Sequence, residues 1–363
     1  MKPSKRLLVA GGGTGGHILA GVAIADEWKR RLSASGTYEP QVLFVGAEQG
    51  LEARLVPKHG YALELLKIGA LNRVSLKTRV QTALQLPLSF IRAFFILLRY
   101  RPHAVIGVGG YASGPVVLLA RFLAPVLGTK TSIIEQNSVA GFTNRVLGKW
   151  VHRVFCAFEA SGRNFSASKI LVTGNPIRSS MKLLPPAPSE SFTLFVFGGS
   201  QGAVGINTMV LESLPHLKSQ NLRIIHQTGV KDYERVKAGY ERAGVQARVE
   251  KFIDDMGSCY AEANLVVCRA GSSSMSEIAS VGRAAVFIPL PTAADNHQEV
   301  NARIFEQAQA AKVVAQASLT GAQFAEFLLD LKRHPEQIRS MEERVRAFYR
   351  SDSAAQIVED LLK

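Results

Sequence analysis

Cysteine is scarce: Cys156, Cys259 and Cys268 are the three in 363 residues. They show neither paired spacing nor a cluster with histidine, which speaks against a disulfide scaffold or a cysteine metal site and for a reducing cytoplasm. The opening Met1-Lys2-Pro3-Ser4-Lys5-Arg6 has no apolar signal core and no small-residue cleavage site, so secretion is not expected. No Asp-x-Asp pair is present to grip a divalent ion, and no metal or other cofactor is expected. Acidic residues vanish between Glu64 and Glu135, a stretch that holds Lys67, Arg73, Lys77, Arg79, Arg92, Arg99, Arg101, Arg121 and Lys130.

That gap belongs to a larger asymmetry. Residues 1–172 carry 22 Lys and Arg against 8 Asp and Glu, an excess of 14, whereas residues 173–363 carry 21 of each. Residues 74–101 add a series of large apolar side chains, among them Leu84, Leu88, Ile91, Phe94, Phe95 and Leu98, to the basic ones. The longest uncharged apolar run in this segment, 93–98, is far below the roughly 20 residues that span a bilayer, and Pro87 and Arg92 interrupt the pattern. The segment 67–101 therefore reads as a surface resting on an anionic membrane, each basic residue contributing on the order of 1 kcal/mol. A buried helix with solvated flanks accounts equally well for residues 90–98. Nucleic acid is not expected, because no polar and aromatic readers are interleaved with the charges.

The length favours two domains. Short apolar strands alternate with helical stretches at 7–10, 41–45, 104–108, 131–135, 154–157 and 170–173. After the break Pro185-Pro186-Ala187-Pro188-Ser189 the pattern restarts, with strands at 193–197, 223–227, 247–251, 265–268 and 285–289. The expected fold is α/β, with two Rossmann-like doubly wound domains facing a cleft at the carboxyl ends of their parallel sheets. Their expected extents are 1–172 and 173–363, the last helix being free to pack back on the first domain.

The first strand runs into Gly11-Gly12-Gly13-Thr14-Gly15-Gly16-His17. Glycine leaves backbone N–H groups able to approach an anion, and the following helix adds a positive dipole end, so a phosphate-type site with one imidazole at its rim is expected. Gly11-x-Gly13-x-x-Gly16 also meets the dinucleotide fingerprint, but the first carboxylate after the second strand is Glu48, late and inside a turn, which fits poorly. A plain strand-to-helix turn is the remaining reading. The second half repeats the device in Gly198-Gly199-Ser200-Gln201-Gly202 and offers two further loops. In one, Gly271 precedes Ser272, Ser273, Ser274, Met275, Ser276 and Glu277. This suits a diphosphate at a helix start and a carboxylate accepting ribose hydroxyls, or simply a capped helix with a solvated glutamate. In the other, Asp295-Asn296-His297-Gln298 suits the hydroxyls of a sugar.

These loops, together with 109–115, Glu135-Gln136-Asn137, 141–144, 174–178 and 252–256, recur in order and at spacings that resemble the MurG family of N-acetylglucosaminyltransferases, which convert lipid I to lipid II in peptidoglycan synthesis. The resemblance spans nearly the whole chain. It implies the GT-B fold, UDP-N-acetylglucosamine held mainly by the second domain, and the lipid acceptor on the first. By position, Thr14, Gly15, Gly16, Asn137, Arg178, Ser200, Ile253, Ser272 to Glu277 and Gln298 would contact the nucleotide sugar. Ile253 would meet uracil through its backbone, Glu277 the ribose and Gln298 the sugar. Tyr111, Asn144, Asn207, Arg269 and His297 match further positions of the family. It also implies a peripheral place on the cytoplasmic face of the cell membrane, among other cell-wall synthesis proteins. Two departures stand out: Ile134 precedes Glu135 where the family often has histidine, and residues 19–21 lack the usual proline.

The expected chemistry is an inverting transfer. A base, His17 first and Glu135 second, takes the proton of the acceptor hydroxyl while helix N-termini and Arg178 help UDP to leave. A UDP-sugar epimerase of the same architecture is the alternative enzyme, and a basic membrane- or nucleic-acid-binding protein the alternative without catalysis.

Overall fold

The computed structural model describes residues 2–69, 76–187, 191–316 and 318–363. Arg73 lies outside them, as do Pro188 and Ser189 of the proline-rich break and the side chains of Lys77 and Arg79. Contacts divide the chain into two units, Met1–Arg178 with Arg350–Lys363, and Ser179–Tyr349. Residues 173–178 and 350–363 thus go with the first unit.

The first unit holds β1 (Ser4–Ala10), α1 (Gly15–Ser35), β2 (Glu39–Ala47), α2 (Glu52–Lys58), β3 (Ala62–Leu66), α3 (Leu76–Tyr100), β4 (Ala104–Gly107), α4 (Ser113–Leu127), β5 (Lys130–Glu135), α5 (Phe142–Gly148), β6 (Arg153–Cys156) and β7 (Ile170–Val172). The second holds β8 (Phe192–Phe197), α6 (Val204–Leu217), β9 (Leu222–Gln227), α7 (Tyr233–Ala243), β10 (Ala247–Glu250), α8 (Met256–Glu262), β11 (Leu265–Cys268), α9 (Ser272–Val281), β12 (Ala285–Phe287), α10 (His297–Gln307), β13 (Lys312–Val313), α11 (Gly321–Arg333) and α12 (Pro335–Val345). A last helix, α13 (Ser353–Leu362), returns to the first unit.

Strand order is β3-β2-β1-β4-β5-β6-β7 in one sheet and β10-β9-β8-β11-β12-β13 in the other, all pairs parallel. Both sheets are covered on two faces, which is why their strands read as unbroken apolar runs. In β1, Leu7 and Val9 pack with Trp28 of α1 and Ile357 of α13, while Leu8 and Ala10 pack on the opposite face with α3 and α4. In β8, Leu194 and Val196 join α6 and α11, and Phe195 and Phe197 meet Tyr260 of α8 at ring separations of 5.5 and 6.2 Å. The two folds repeat one design, and each reverses strand order once, between β1 and β4 and between β8 and β11.

The basic apolar segment forms α3, and its residues divide between two environments. Ala93, Ile96 and Leu97 belong to the core. Leu84, Leu88, Ile91, Phe95 and Leu98, spaced four and three apart, form an exposed stripe on the same helix. Phe122 and Val126 of α4 and Phe142, Val146 and Trp150 around α5 are exposed as well. Among the described residues no helix is long and apolar enough to cross a membrane.

Candidate functional site

Ligands of open α/β sheets bind beyond the carboxyl ends of the strands, where the order reverses. In the first unit the loops after β1 and β4 meet there. Gly12 N donates to Gly109 O and Gly11 N to Val45 O, both at 2.9 Å. A Cβ on Gly11 would lie 2.0 Å from Gly109 O, and one on Gly110 2.5 Å from Gly12 O, so the two loops interlock only as glycine. Gly13 N donates to Glu52 Oε1 at 2.9 Å. Three of the amides expected to cradle a phosphate are therefore committed within the chain, the third to a buried carboxylate. What remains for an anion is the first turn of α1, Gly15 and Gly16, whose amides helix geometry leaves without carbonyl partners. Thr14 caps that turn, its Oγ1 accepting from His17 N at 3.5 Å.

His17 is half-buried, with Nδ1 3.0 Å from Gly12 O. A carbonyl can only accept, so Nδ1 carries the proton and Nε2 keeps the lone pair. Glu135 is placed differently. It is 2% exposed; Oε1 accepts from Asn137 N at 2.9 Å, and Oε2 from Gly141 N at 3.0 Å and Asn144 Nδ2 at 2.9 Å. It clamps the loop 137–141 from beneath, and Asn144, also buried, braces it through a second bond to Ile134 O at 3.0 Å. Asn137 and Tyr111 are half-buried on the same edge of the sheet. Arg178 is half-buried, and its charge, after burial itself, lowers the pKa of His59.

In the second unit the loops after β8 and β9 interlock: a Cβ on Gly202 would fall 2.0 Å from Thr228 O, and one on Gly229 2.3 Å from Gln201 O. Gln227, buried at the end of β9, ties this edge together. Its Nε2 donates to Gly199 O at 3.0 Å and its Oε1 accepts from Ile253 N at 2.7 Å. The amide of Ile253 is thus spent within the unit. Ser200 sits half-buried on the loop that Gln227 holds.

The N-terminus of α9 follows Gly271. Ser272 is nearly buried and Met275 wholly so, which restricts Met275 to backbone contact with a ligand, while Ser273, Ser274 and Ser276 are half-buried. Glu277 is half-buried, and Tyr260 Oη donates to its Oε2 at 3.3 Å, fixing the carboxylate from below. Its charge, after burial, raises the pKa of the Cys268 thiol beneath it. Arg269 is buried, donating from Nη1 to Ile288 O and Pro289 O at 3.0 Å and from Nη2 to Gln316 Oε1 at 2.6 Å; burial lowers its pKa to about 10. It holds the end of β12 in place. Beyond that end Asp295 and Asn296 both adopt left-handed backbone, φ 50° and 53°, a costly pair that brings α10 into line. Gln298 Oε1 accepts from Leu290 N at 3.0 Å, leaving Nε2 to donate, and His297 Nδ1 donates to Ala294 O at 2.7 Å.

Asn207 lies away from this surface, in a buried chain of polar groups. Its Nδ2 donates to Thr228 O at 3.0 Å and Asp232 Oδ2 at 2.7 Å, and its Oδ1 faces His226 Nε2 at 3.0 Å. His226 Nδ1 meets Tyr240 Oη at 2.9 Å, and complete burial drives the pKa of His226 down to about 3. Among the described residues no group of three or more His, Cys, Asp or Glu is arranged to hold a metal ion. Glu52, Gln227 and Tyr260 are the residues sequence reasoning missed; each supports a loop rather than standing in one.

Residues 7–156 match the glycosyltransferase family 28 N-terminal domain and residues 193–359 the family 28 C-terminal domain. The chain is 44% identical over 360 residues to the UDP-N-acetylglucosamine--N-acetylmuramyl-(pentapeptide) pyrophosphoryl-undecaprenol N-acetylglucosamine transferase of Myxococcus xanthus, covering 98% of this chain and 91% of that one. Among solved structures it is similar to Acinetobacter baumannii MurG, with TM-score 0.74, 29% identity and 99% of both chains covered. A UDP-GlcNAc 2-epimerase from Neisseria meningitidis, with TM-score 0.68 and 14% identity over 98% of this chain and 99% of its own, shares the fold alone.

Proposed function

This chain belongs to glycosyltransferase family 28, and on that premise we propose that it moves N-acetylglucosamine from UDP-N-acetylglucosamine to N-acetylmuramyl-(pentapeptide) pyrophosphoryl-undecaprenol, the lipid I to lipid II step of peptidoglycan synthesis. The observation that carries this reading is identity of 44% along almost the whole chain to a transferase of that name. The epimerase alternative rests on a shared fold at 14% identity. Transfer of radiolabelled sugar from UDP-N-acetylglucosamine to a short-chain lipid I analogue tests it. Label remaining entirely on nucleotide, with the 2-epimer appearing instead, would turn the assignment to the epimerase.

The transfer inverts the anomeric centre. His17 Nε2 takes the proton of the acceptor hydroxyl as that oxygen attacks, and UDP departs as its diphosphate meets the first-turn amides of α9. The Ile253 carbonyl reads uracil, Glu277 the ribose and the Gln298 amide the sugar. Glu135, with both oxygens occupied, positions Asn137 instead of acting as base. Glu277→Ala should weaken UDP binding by roughly 10–150-fold, the equivalent of about 1.5–3 kcal/mol for hydrogen bonds to a charged group. Isothermal titration measures it, and unchanged affinity in a folded variant removes Glu277 from the site.

The exposed stripe on α3 and the basic excess around it support a peripheral place on the cytoplasmic face of the membrane, beside the machinery of cell shape and division. Replacing Leu84, Leu88 and Phe95 together with serine should cut partitioning onto anionic vesicles at least roughly tenfold, since each buries apolar area against lipid. Charge reversal at Arg73, Lys77 and Arg79 should do likewise, and binding should weaken as salt rises. Co-sedimentation decides it: equal binding to neutral and anionic vesicles, or full retention by both triple variants, assigns the patch to something else.

A further inference from the structure

The peptide unit between Gly12 and Gly13 has hydrogen bonds at both ends. Its N–H points to Glu52 Oε1 at 2.9 Å, and its C=O points the opposite way, to His17 Nδ1 at 3.0 Å. Oε1 also accepts from Ala47 N at 3.2 Å, so two amides converge on one oxygen. Glu52 itself is 1% exposed and wrapped by glycine: a Cβ on Gly12, Gly46 or Gly50 would come within 2.4, 2.7 and 1.7 Å of its side chain. Both of these bonds fall on Oε1, and Oε2 is buried without a hydrogen-bond partner among the described residues, so this carboxyl group has been built into the loop at some cost.

We propose that Glu52 is a positioning residue that selects the tautomer of His17 through the Gly12–Gly13 peptide. In a peptide between two glycines no Cβ forbids the flipped φ and ψ, so its orientation is set by the groups around it. Turned over, it would present Gly13 N–H to the imidazole. Nδ1 would then accept, the proton would move to Nε2, and the ring would have no lone pair on the atom assigned to take the acceptor proton. The acceptor atom of Glu52 admits one orientation, N–H toward itself and C=O toward His17. The arrangement performs the task of a carboxylate that orients a catalytic histidine, with a peptide plane interposed between the two.

The inference deepens the assignment of His17 as base and rests on it only for the effect on rate; the tautomer is observable by itself. The test is ¹⁵N NMR of histidine-labelled protein above about pH 8, where an ordinary imidazole is neutral, with His17→Ala assigning the signal. Wild type is expected as the Nδ1–H form. Glu52→Met removes the acceptor at nearly constant volume and is expected to give mixed tautomers, with kcat lowered roughly 10–100-fold, the range seen for outer partners of metal-bound histidines. Its KM for UDP-N-acetylglucosamine should stay within about twofold, because Ile253, Glu277 and Gln298, assigned to uracil, ribose and sugar, stand in the second unit. Glu52→Gln keeps an acceptor oxygen and should restore the Nδ1–H form and part of the rate. Folded Glu52→Met that retains a pure Nδ1–H signal overturns the proposal. Should it not fold, wild type still decides: an Nε2–H form, or a Gly13 amide proton without the downfield shift of a carboxylate donor, overturns it too. A tautomer that changes while kcat does not leaves the relay standing and removes His17 as base.

Discussion

Replacing His17 with alanine lowers kcat by roughly 10²–10⁴-fold, the usual contribution of a placed general base, and leaves UDP affinity nearly unchanged. The split follows from the chain's layout. His17 stands at the start of α1 in the first unit, while Ile253, Glu277 and Gln298 stand in the second. Steady-state turnover on a soluble acceptor analogue, paired with UDP titration, checks both halves. A fall of less than tenfold would return the question to Glu135. There a substitution is expected to act through the loop it clamps, raising KM as well as lowering kcat.

The other large effect is on stability. Asn207→Ala should destabilise the second unit by about 2–5 kcal/mol, because Thr228 O, Asp232 and the fully buried His226 all lose a partner. For a unit of this size that lowers the melting temperature by about 5–20 °C. Calorimetry of the variant tests it, and an unchanged melting point together with weakened UDP binding would make Asn207 a ligand contact instead. The same network carries a pH signature. Since burial holds His226 at about 3 in the fold against 6.5 when exposed, the unfolded chain binds the extra proton between those values. Stability is therefore complete above about pH 6.5 and declines as pH falls toward 3. Replacing His226 with phenylalanine should flatten that decline, whatever the variant's overall stability.

Eleven strands were legible because parallel strands covered on both faces appear as short apolar runs between helices. Two were not, for different reasons. Ala62-Leu63-Glu64-Leu65-Leu66 is made of good helix formers, and only pairing with β2 at the sheet edge holds it extended. Lys312–Val313 is too short to leave any pattern. The glycine loops could be found from sequence, but not what their amides do. Glu52 stands 39 residues from Gly13, past a turn whose own Glu48 drew attention, and nothing local marks it as reaching back. Tyr260 and Gln227 were hidden the same way, being ordinary residues of α8 and β9 until the fold brings them under Glu277 and Ile253. Arg269 and Asn207 could be picked out by resemblance, yet that resemblance carried no information about their burial.

The return of α13 to the first unit has a consequence for biosynthesis. Ile357, Val358 and Leu361 complete the core around Trp28, and Asp360 pairs with Lys130 at 3.2 Å and Arg153 at 3.0 Å. The first unit is thus missing a wall of its interior until residues 350–363 emerge from the ribosome. The intervening residues 179–349 occupy roughly nine to thirty-four seconds of synthesis at ordinary elongation rates. Throughout that interval apolar surface near α1 stays open, on the same unit that carries the exposed stripe of α3. An expressed fragment ending at Arg178 should therefore aggregate unless residues 350–363 are joined to it.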